Sequence, residues 1–281
     1  MPRNVGPIPT ALLAVLLLGA AACGSSGRTD EGAADDNADD PPPQAVSSLP
    51  EGAEDLVGRY AHYDVVAYED ELMKTLIIST GFSDLELRDG ELWNIQRFCH
   101  ADMGNDQNIE TTMSDAATSA IVPIDTPVAV TVEDGKLRVV RPATPTGIGI
   151  EFEDPANDVL PTDPADPRIV DADGDGNPGV TAHIRLNEEV EGDLFIARRE
   201  IFEYDLTQES PDRLVGTITD SSEQLVIDAT NPIFLTPAQW VQLDDPARNP
   251  VIWQRVADDM DCQQLAAERD ELFPPNPEAD W

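Results

Sequence analysis

Two Asp-Gly pairs, each flanked by alternating apolar residues, constrain the fold more than any other feature of this sequence. They are Asp89-Gly90 in "LELRDGELWNIQRF" and Asp134-Gly135 in "VAVTVEDGKLRVV". An Asp-Gly pair between two runs of period-two alternation is typical of a β-hairpin with a two-residue turn. Each pair therefore predicts two neighbouring antiparallel strands.

The body of the chain contains further runs rich in β-branched and aromatic residues, which predict more strands. These runs are "LVGRYAHYDVVAY", "KTLIIST", "IGIEF", "VTAHIRL", "DLFIARREIFEY", "RLVGTITDS", "EQLVIDA" and "VIWQRVA". One helix is predicted at "CQQLAAERDEL" and a short one near "TPAQWVQL". We expect a mainly β fold, an antiparallel barrel or sandwich of about ten strands with one C-terminal helix. The β-rich domain should span residues 50–273, with residues 274–281 as a tail.

The first 22 residues have the parts of a bacterial export signal: Arg3, then the apolar run Ala11–Ala22, then Cys23. Twelve helical residues would span roughly 18 Å, less than the bilayer core of about 30 Å, which favours a signal peptide over a membrane span. The cysteine after small residues resembles the lipobox of bacterial lipoproteins, although Ala20 stands where leucine is usual. That resemblance implies acylation of Cys23 and a lipid anchor at the outer membrane or cell surface. The alternative is an ordinary secretory signal.

Residues 23–49 include "GSSGRTDEGAADDNADDPPPQAVSSL", which has no aromatic residue and almost no large aliphatic one. Such a segment cannot bury enough apolar surface to offset its conformational entropy. Its glycines, prolines and like charges predict a disordered, extended acidic tether between anchor and domain.

The charge balance excludes two classes of partner. The chain has 17 basic and 55 acidic residues, a formal net charge of −38. A surface of this sign repels nucleic acid and anionic lipid headgroups, so any membrane contact should come through the lipid anchor. Acid excess with only two lysines resembles salt-adapted proteins, although a biased genome would give the same composition.

Cys99 and Cys262 are the cysteines left once Cys23 is assigned to lipid. An even pair in an exported protein predicts one disulfide. It would close a loop long enough to contribute roughly 5 kcal/mol at most in the chain-entropy model. A reactive or metal-bound thiol is the alternative, with little support from neighbouring residues.

The stretch "RIVDADGDGNPGVTAH" places Asp171, Asp173 and Asp175 two residues apart among glycines. It matches the first half of an EF-hand calcium loop, in which alternate carboxylates on a tight turn converge on one ion. The carbonyl of Asn177 would add a ligand. The twelfth position is Ala182 and the flanks are not helical, so we expect a Ca²⁺-binding turn between strands. A solvated acidic turn is the alternative.

Further calcium ligands are expected from the aspartates that precede this turn in "DPANDVLPTDPADP". The candidates are Asp158, Asp163 and Asp166.

Two resemblances to known families add to this interpretation. The strand "LVGRY" resembles the first strand of lipocalins, with Tyr60 in place of their tryptophan. The stretch "EDPANDVLPTDPADPRIVDADGDGNPGVT" is similar to a segment of uncharacterised acidic bacterial lipoproteins. No activity is known for that group, so the similarity implies location and not mechanism.

Catalytic motifs are missing from the sequence: it has no H-E-x-x-H, no G-x-S-x-G and no glycine-rich phosphate loop. Its only histidines are His62, His100 and His183. Three scattered tryptophans could pack in a core or line a carbohydrate or lipid surface, namely Trp93, Trp240 and Trp253. No catalytic residue is predicted.

The sequence as a whole favours a lipid-anchored envelope or cell-surface binding module, stabilised by calcium and monomeric, over an enzyme. Its partner would be an envelope protein, a glycan or a small ligand. The competing interpretations are a lipocalin-like carrier of a small apolar ligand and an extracytoplasmic hydrolase that uses one of the histidines.

Overall fold

The computed structural model describes residues 49–235 and 240–281. The predicted signal peptide, Cys23 and residues 23–48 of the tether lie outside these ranges. Within them the chain forms fifteen strands: β1 Gly58–Glu69, β2 Lys74–Arg88, β3 Glu91–Asn105, β4 Glu110–Met113, β5 Ile124–Pro127, β6 Ala129–Glu133, β7 Lys136–Arg141, β8 Thr146–Ile148, β9 Val180–Arg185, β10 Glu191–Glu200, β11 Phe202–Ser210, β12 Arg213–Asp220, β13 Glu223–Ala229, β14 Val241–Gln242 and β15 Pro250–Arg255. The α-helices are α1 Asp115–Ser119 and α2 Cys262–Leu272, and short 3₁₀ helices occur at Ala53–Leu56, Pro232–Leu235 and Pro246–Arg248.

Nine of these strands form a nearly closed antiparallel barrel, in the order β5-β3-β2-β1-β15-β12-β11-β7-β6, with β14 added beside β1. Both Asp-Gly hairpins are confirmed. Asp89 and Gly90 join β2 to β3 with φ of 51° and 86°, and Asp134 and Gly135 join β6 to β7 with φ of 49° and 77°. Two positive φ angles are what a two-residue hairpin turn matched to the strand twist requires.

One segment of chain closes the barrel. Strand β5 pairs with β3, and β6, which begins two residues after β5 ends, pairs with β7 at the other end of the sheet. Between them the Val128 N–H donates to the Leu92 carbonyl oxygen at 2.8 Å. The two edges of the sheet therefore meet on neighbouring parts of a single chain segment.

The inside of the barrel is filled by large side chains, so the core lies there. Trp253 and Tyr204 are fully buried and meet edge to face with ring centroids 6.0 Å apart. The buried residues of this cluster are Leu56, Tyr60, Val66, Tyr68, Leu85, Leu92, Phe98, Ile124, Val128, Leu137, Val139, Phe202, Tyr204, Leu206, Leu214, Ile218, Val251 and Trp253.

A second apolar cluster covers the outer face of β1 and its neighbours, where α2 packs. Leu265 of α2 is buried in it, and Phe273 stacks on Tyr63 at 5.4 Å between ring centroids. Strand β1 is thus covered on both faces, which explains its nearly continuous burial.

The predicted disulfide joins Cys99 on β3 to Cys262 at the start of α2, with Cα atoms 5.5 Å apart. That separation is ordinary for a disulfide. The bond fixes α2 to the outer face of the barrel. The predicted tail also contacts the barrel, because Asn276 Nδ2 donates to Asp102 Oδ2 at 2.9 Å and Arg248 pairs with Asp280 at 3.2 Å.

A smaller sheet, β13-β10-β9-β4 with β8 beside β10, lies against one end of the barrel. Strand β10 continues almost directly into β11, so one chain segment supplies both sheets. Short β4, β5 and β14 go beyond the predicted set. The strand predicted at "IGIEF" is largely wrong, because β8 ends at Ile148 and only an isolated bridge at Ile150 follows. The short helix predicted near "TPAQWVQL" is wrong at its C-terminal end, because Val241–Gln242 forms strand β14 beside β1. Residues 236–239 of that stretch lie outside the described ranges.

Candidate functional site

The acidic turn lies in the long connection between β8 and β9. Its ends are held together: the Gly179 N–H donates to the Val170 carbonyl at 2.8 Å, and the Ala172 N–H donates to the Gly179 carbonyl at 3.0 Å. Gly174 and Gly176 have φ of 74° and 91°, a region that other residues adopt at a cost. The glycines therefore let the backbone fold back sharply between these ends.

Asp171 organises this turn. Its Oδ1 accepts from the Gly174 N–H at 2.8 Å and its Oδ2 from the Gly176 N–H at 2.9 Å. Each of Asp171, Asp173 and Asp175 offers one carboxylate oxygen, and the three oxygens lie within 4.8 Å of one another. The structure thus brings together the three side chains that the sequence singled out.

Thr181, at the start of β9, supports the other two carboxylates. Its N–H donates to Asp173 Oδ2 at 3.0 Å, and its hydroxyl donates to Asp175 Oδ2 at 2.5 Å. The hydroxyl bond, together with one from the Asn177 N–H, lowers the pKa of Asp175 below its ordinary value. Asp173 Oδ1 is buried and has no hydrogen-bond partner within the described ranges. Sequence reasoning missed Thr181, although its position eight residues after Asp173 at a strand start was a usable signal.

The other proposed ligands have local partners. Asp158 Oδ2 accepts from two backbone N–H groups at 2.9 Å, and Asp163 Oδ1 accepts from the Ala165 N–H at 2.9 Å. Asp166 pairs with Arg168 Nε at 2.9 Å. The side chain of Asn177 donates to Asp175 Oδ2 at 3.1 Å. The group of three convergent carboxylates does not include Asp158, Asp163 or Asp166 among the residues described.

A polar network crosses the inside of the barrel. Gln96 Nε2 donates to the Tyr204 hydroxyl at 2.7 Å, and that hydroxyl donates to Asp64 Oδ2 at 2.8 Å. All three residues are buried. Burial raises the pKa of Asp64 to about 7, and the bond from Tyr204 offsets part of this increase.

Arg141 and His62 lie beside this network and are fully buried. The Arg141 guanidinium stacks on the Tyr204 ring, with Arg141 Cζ 4.4 Å from the ring centroid. Burial lowers the pKa of Arg141. His62 Nε2 lies 3.7 Å from Asp64 Oδ2, and burial lowers the pKa of His62 to about 3. Neither His62 nitrogen has a hydrogen-bond partner among the described residues. His62 is therefore neutral in the folded protein above that value.

The other two histidines lie on the surface, each beside a carboxylate. His100 contacts Asp115 at 2.6 Å and Asp102 at 3.1 Å; burial lowers its pKa, but these hydrogen bonds outweigh burial and the pKa is raised. His183 Nδ1 lies 2.8 Å from Asp193. In the described parts of the chain no serine or threonine hydroxyl bonds to a histidine.

The tryptophans do not form one surface. Trp253 is buried in the barrel, Trp240 stacks on Tyr68 at 5.6 Å, and Trp93 lies under Arg88 at 5.2 Å. Trp253 is thus a core residue, whereas Trp240 and Trp93 each pack against a different side chain.

A cavity of about 80 Å³ lies between the barrel end and the smaller sheet. Its apolar wall comes from both sheets and from Ile121, which follows α1, and consists of Val66, Ile77, Phe98, Ala101, Met103, Met113, Ile121, Ile148, Ile196, Phe202 and Ile218. Its polar wall consists of Asp64, Tyr68, Ser79, Thr118, Arg198, Glu200 and Asp220.

No protein-family model, no curated protein and no solved structure matches this chain. Among the described residues, no helix has both the length and the hydropathy needed to span a membrane.

Proposed function

We propose that this protein is a calcium-stabilised binding module, exported and attached to the outer membrane or cell surface through acylated Cys23. Two observations carry the calcium assignment: Asp171, Asp173 and Asp175 each offer a carboxylate oxygen within 4.8 Å of the others, and Asp173 Oδ1 is buried without a hydrogen-bond partner among the described residues. Calcium takes 6–8 oxygen ligands at 2.3–2.6 Å, and a carboxylate oxygen held without a donor fits such a ligand. Backbone carbonyls of the turn and water would complete the coordination.

The physical benefit of the ion is local. Three carboxylates within 4.8 Å repel one another, and a divalent cation offsets that repulsion where β9 begins. Calcium sites of extracellular modules have dissociation constants of roughly 10⁻⁴–10⁻³ M. In about 10 mM calcium such a site adds roughly 1.4–2.7 kcal/mol to the free energy of unfolding.

Calorimetric titration of the exported full-length protein in detergent tests the metal site. We expect saturable heat with calcium for the natural protein, and none for the double variant Asp173→Ala, Asp175→Ala. Asp163→Ala is the matched control, since Asp163 lies in the same loop and its carboxylate accepts from the Ala165 N–H within the described residues. If the double variant gave the same heat as the natural protein, calcium would bind at another site. If the natural protein gave no heat, the protein would not bind calcium.

The anchor has a separate test. In a bacterial host that acylates lipoproteins, the natural protein should carry diacylglycerol at Cys23 by mass spectrometry and fractionate with membranes. Cys23→Ser should release it from that fraction. Membrane attachment that persists in the variant would contradict anchoring through this residue.

The binding role is supported by the cavity of about 80 Å³, which has an apolar wall and several buried polar groups. Of the competing interpretations, a lipocalin-like carrier of a small apolar ligand predicts an open barrel lined with apolar side chains, whereas this barrel is filled by aromatic side chains. The hydrolase interpretation gains no support from the three histidines, because none meets a hydroxyl in the described chain.

A further inference from the structure

The charges around the cavity do not balance. Arg198 is buried and its Nε lies 2.7 Å from Glu200 Oε1, so these two charges compensate each other. Among the described residues no second cation lines the cavity, but the charge of Arg141, which is not part of the wall, acts on Asp64. Asp64 and Asp220 thus share one cation between them, which leaves one negative charge in excess. Tyr68 donates to Asp220 at 2.8 Å, which stabilises that carboxylate without neutralising it. The cavity thus favours a positively charged group over a neutral or negative one.

Aromatic rings line the same cavity. Phe98 and Phe202 meet edge to face at 5.7 Å between centroids, and both contribute to the wall, as does Tyr68. Ring faces attract ammonium groups by about 0.5–2 kcal/mol, more when water is excluded. Carboxylates and aromatic faces together are the chemistry that recognises an ammonium ion.

The remaining wall and the volume limit the rest of the ligand. Five isoleucines and two methionines give the cavity an apolar region that a short alkyl chain can contact. An apolar protein cavity of about 150 Å³ accepts the six carbons of benzene. A cavity of about 80 Å³ therefore has room for a ligand of three or four heavy atoms.

We propose that this cavity binds a short primary alkylammonium ion, with the ammonium group at Asp64 and Asp220 and the alkyl chain against the isoleucines. The inference deepens the proposed binding function and rests on it, but it needs neither the calcium ion nor the lipid anchor.

Titration of the full-length protein with n-propylammonium chloride, followed by NMR of isoleucine methyl groups, tests this site. The titration is run at about pH 8, where Asp64, with a pKa of about 7, is mostly ionised. For four heavy atoms we expect a dissociation constant on the order of 1 mM. The methyl signals that should shift with one common saturation curve are those of Ile77, Ile121, Ile148, Ile196 and Ile218. Ile124 and Ile252 do not line the cavity and should stay unchanged.

Two comparisons test whether binding depends on the charge of the ligand and on the charge of the site. 1-Propanol has the same size without the charge and should bind at least about tenfold more weakly, a difference of 1.4 kcal/mol or more. Asp220→Asn keeps an oxygen for Tyr68 and should weaken n-propylammonium binding by a similar factor. Glu91→Gln removes an exposed carboxylate at the β2–β3 hairpin and should leave the binding unchanged.

Absence of saturable shifts, or shifts spread over Ile124 and Ile252, would overturn the proposed site. Equal binding of 1-propanol would overturn the ammonium assignment in the natural protein, even if Asp220→Asn did not fold. If the protein binds calcium with saturable heat but does not bind n-propylammonium, the proposed ligand is rejected. That result would not contradict the calcium site or the lipid anchor.

Discussion

The Tyr204 hydroxyl donates a 2.8 Å hydrogen bond to Asp64 Oδ2 across the inside of the barrel, between residues 140 positions apart in the chain. This places a carboxyl group among aromatic side chains, where its ionised form is poorly solvated. Gln96 and Arg141 contact Tyr204 from other strands, so four strands contribute to one polar network. The pH dependence of stability should therefore reflect this interior as well as the acidic surface.

Asp64→Asn should change the pH dependence of unfolding in a defined direction. Burial raises the pKa of Asp64 from 3.8 to about 7, so the folded state binds a proton that the unfolded state releases within that window. The contribution of Asp64 to the free energy of unfolding is fully present below the pKa that Asp64 has in the unfolded state. It is lost as the pH rises through the pKa that Asp64 has in the folded state. Relative to the natural protein, Asp64→Asn should gain a few kcal/mol between about pH 4 and 8, since one pKa unit corresponds to about 1.4 kcal/mol.

Urea unfolding at several pH values measures this difference, with Glu91→Gln as the control for loss of one exposed carboxylate. A constant difference between Asp64→Asn and the natural protein across that range would show that Asp64 titrates normally.

His62→Gln should have the opposite pH signature. Burial lowers the pKa of His62 from 6.5 to about 3, so below about pH 6.5 the unfolded state takes up a proton that the folded state does not. The natural protein should lose a few kcal/mol relative to His62→Gln as the pH falls from about 7 to 4. His100→Gln, an exposed control, should not reproduce this trend. Parallel stability curves for His62→Gln and the natural protein would contradict a neutral buried His62.

The double variant Cys99→Ser, Cys262→Ser should be less stable by about 2–5 kcal/mol, because the disulfide constrains a long loop of the unfolded chain. The bond also holds α2 on the outer face of β1, where Leu265 and Phe273 are buried. Urea unfolding of the natural, reduced and doubly substituted proteins measures the loss. A thiol assay on the unfolded, non-reduced protein should find neither cysteine free.

The sequence predicted those features that depend on neighbouring residues. The Asp89-Gly90 and Asp134-Gly135 hairpins follow from local turn chemistry, and Asp171, Asp173 and Asp175 converge because they share one turn. Closure of the barrel could not be predicted from the sequence. The segment that contains β5 and β6 alternates continuously, and nothing within it indicates that its halves pair with opposite ends of the sheet.

The interior network could not be predicted either. Asp64, Gln96, Arg141 and Tyr204 lie on four strands, and burial of a charged side chain depends on which strands become neighbours. A charged residue in an alternating strand is ordinarily assigned to the solvent face. Arg141 is fully buried because Tyr204 and Phe202 on the adjacent strand cover its guanidinium.

Thr181→Val tests how the acidic turn is oriented. The change keeps the side-chain shape and the backbone N–H that binds Asp173, but it removes the hydroxyl that donates to Asp175 Oδ2. Groups that hold metal ligands in place contribute about 10–100-fold to metal affinity. We expect weaker calcium binding in that range by calorimetry. Thr112→Val on the neighbouring β4 is the control, and equal affinity in both variants would show that Thr181 does not position the ligands.

High salt should stabilise this protein. A net charge of −38 makes the compact state repel itself, and the Debye length falls from about 30 Å at 0.01 M salt to about 3 Å at 1 M. Salt also screens exposed ion pairs such as Arg138 with Asp205, but exposed pairs contribute only about 0–1 kcal/mol each. Because acidic residues outnumber basic ones 55 to 17, repulsion should dominate. The urea midpoint should rise steadily with sodium chloride at fixed calcium, and a midpoint that falls would mean that attractive pairs outweigh the excess charge.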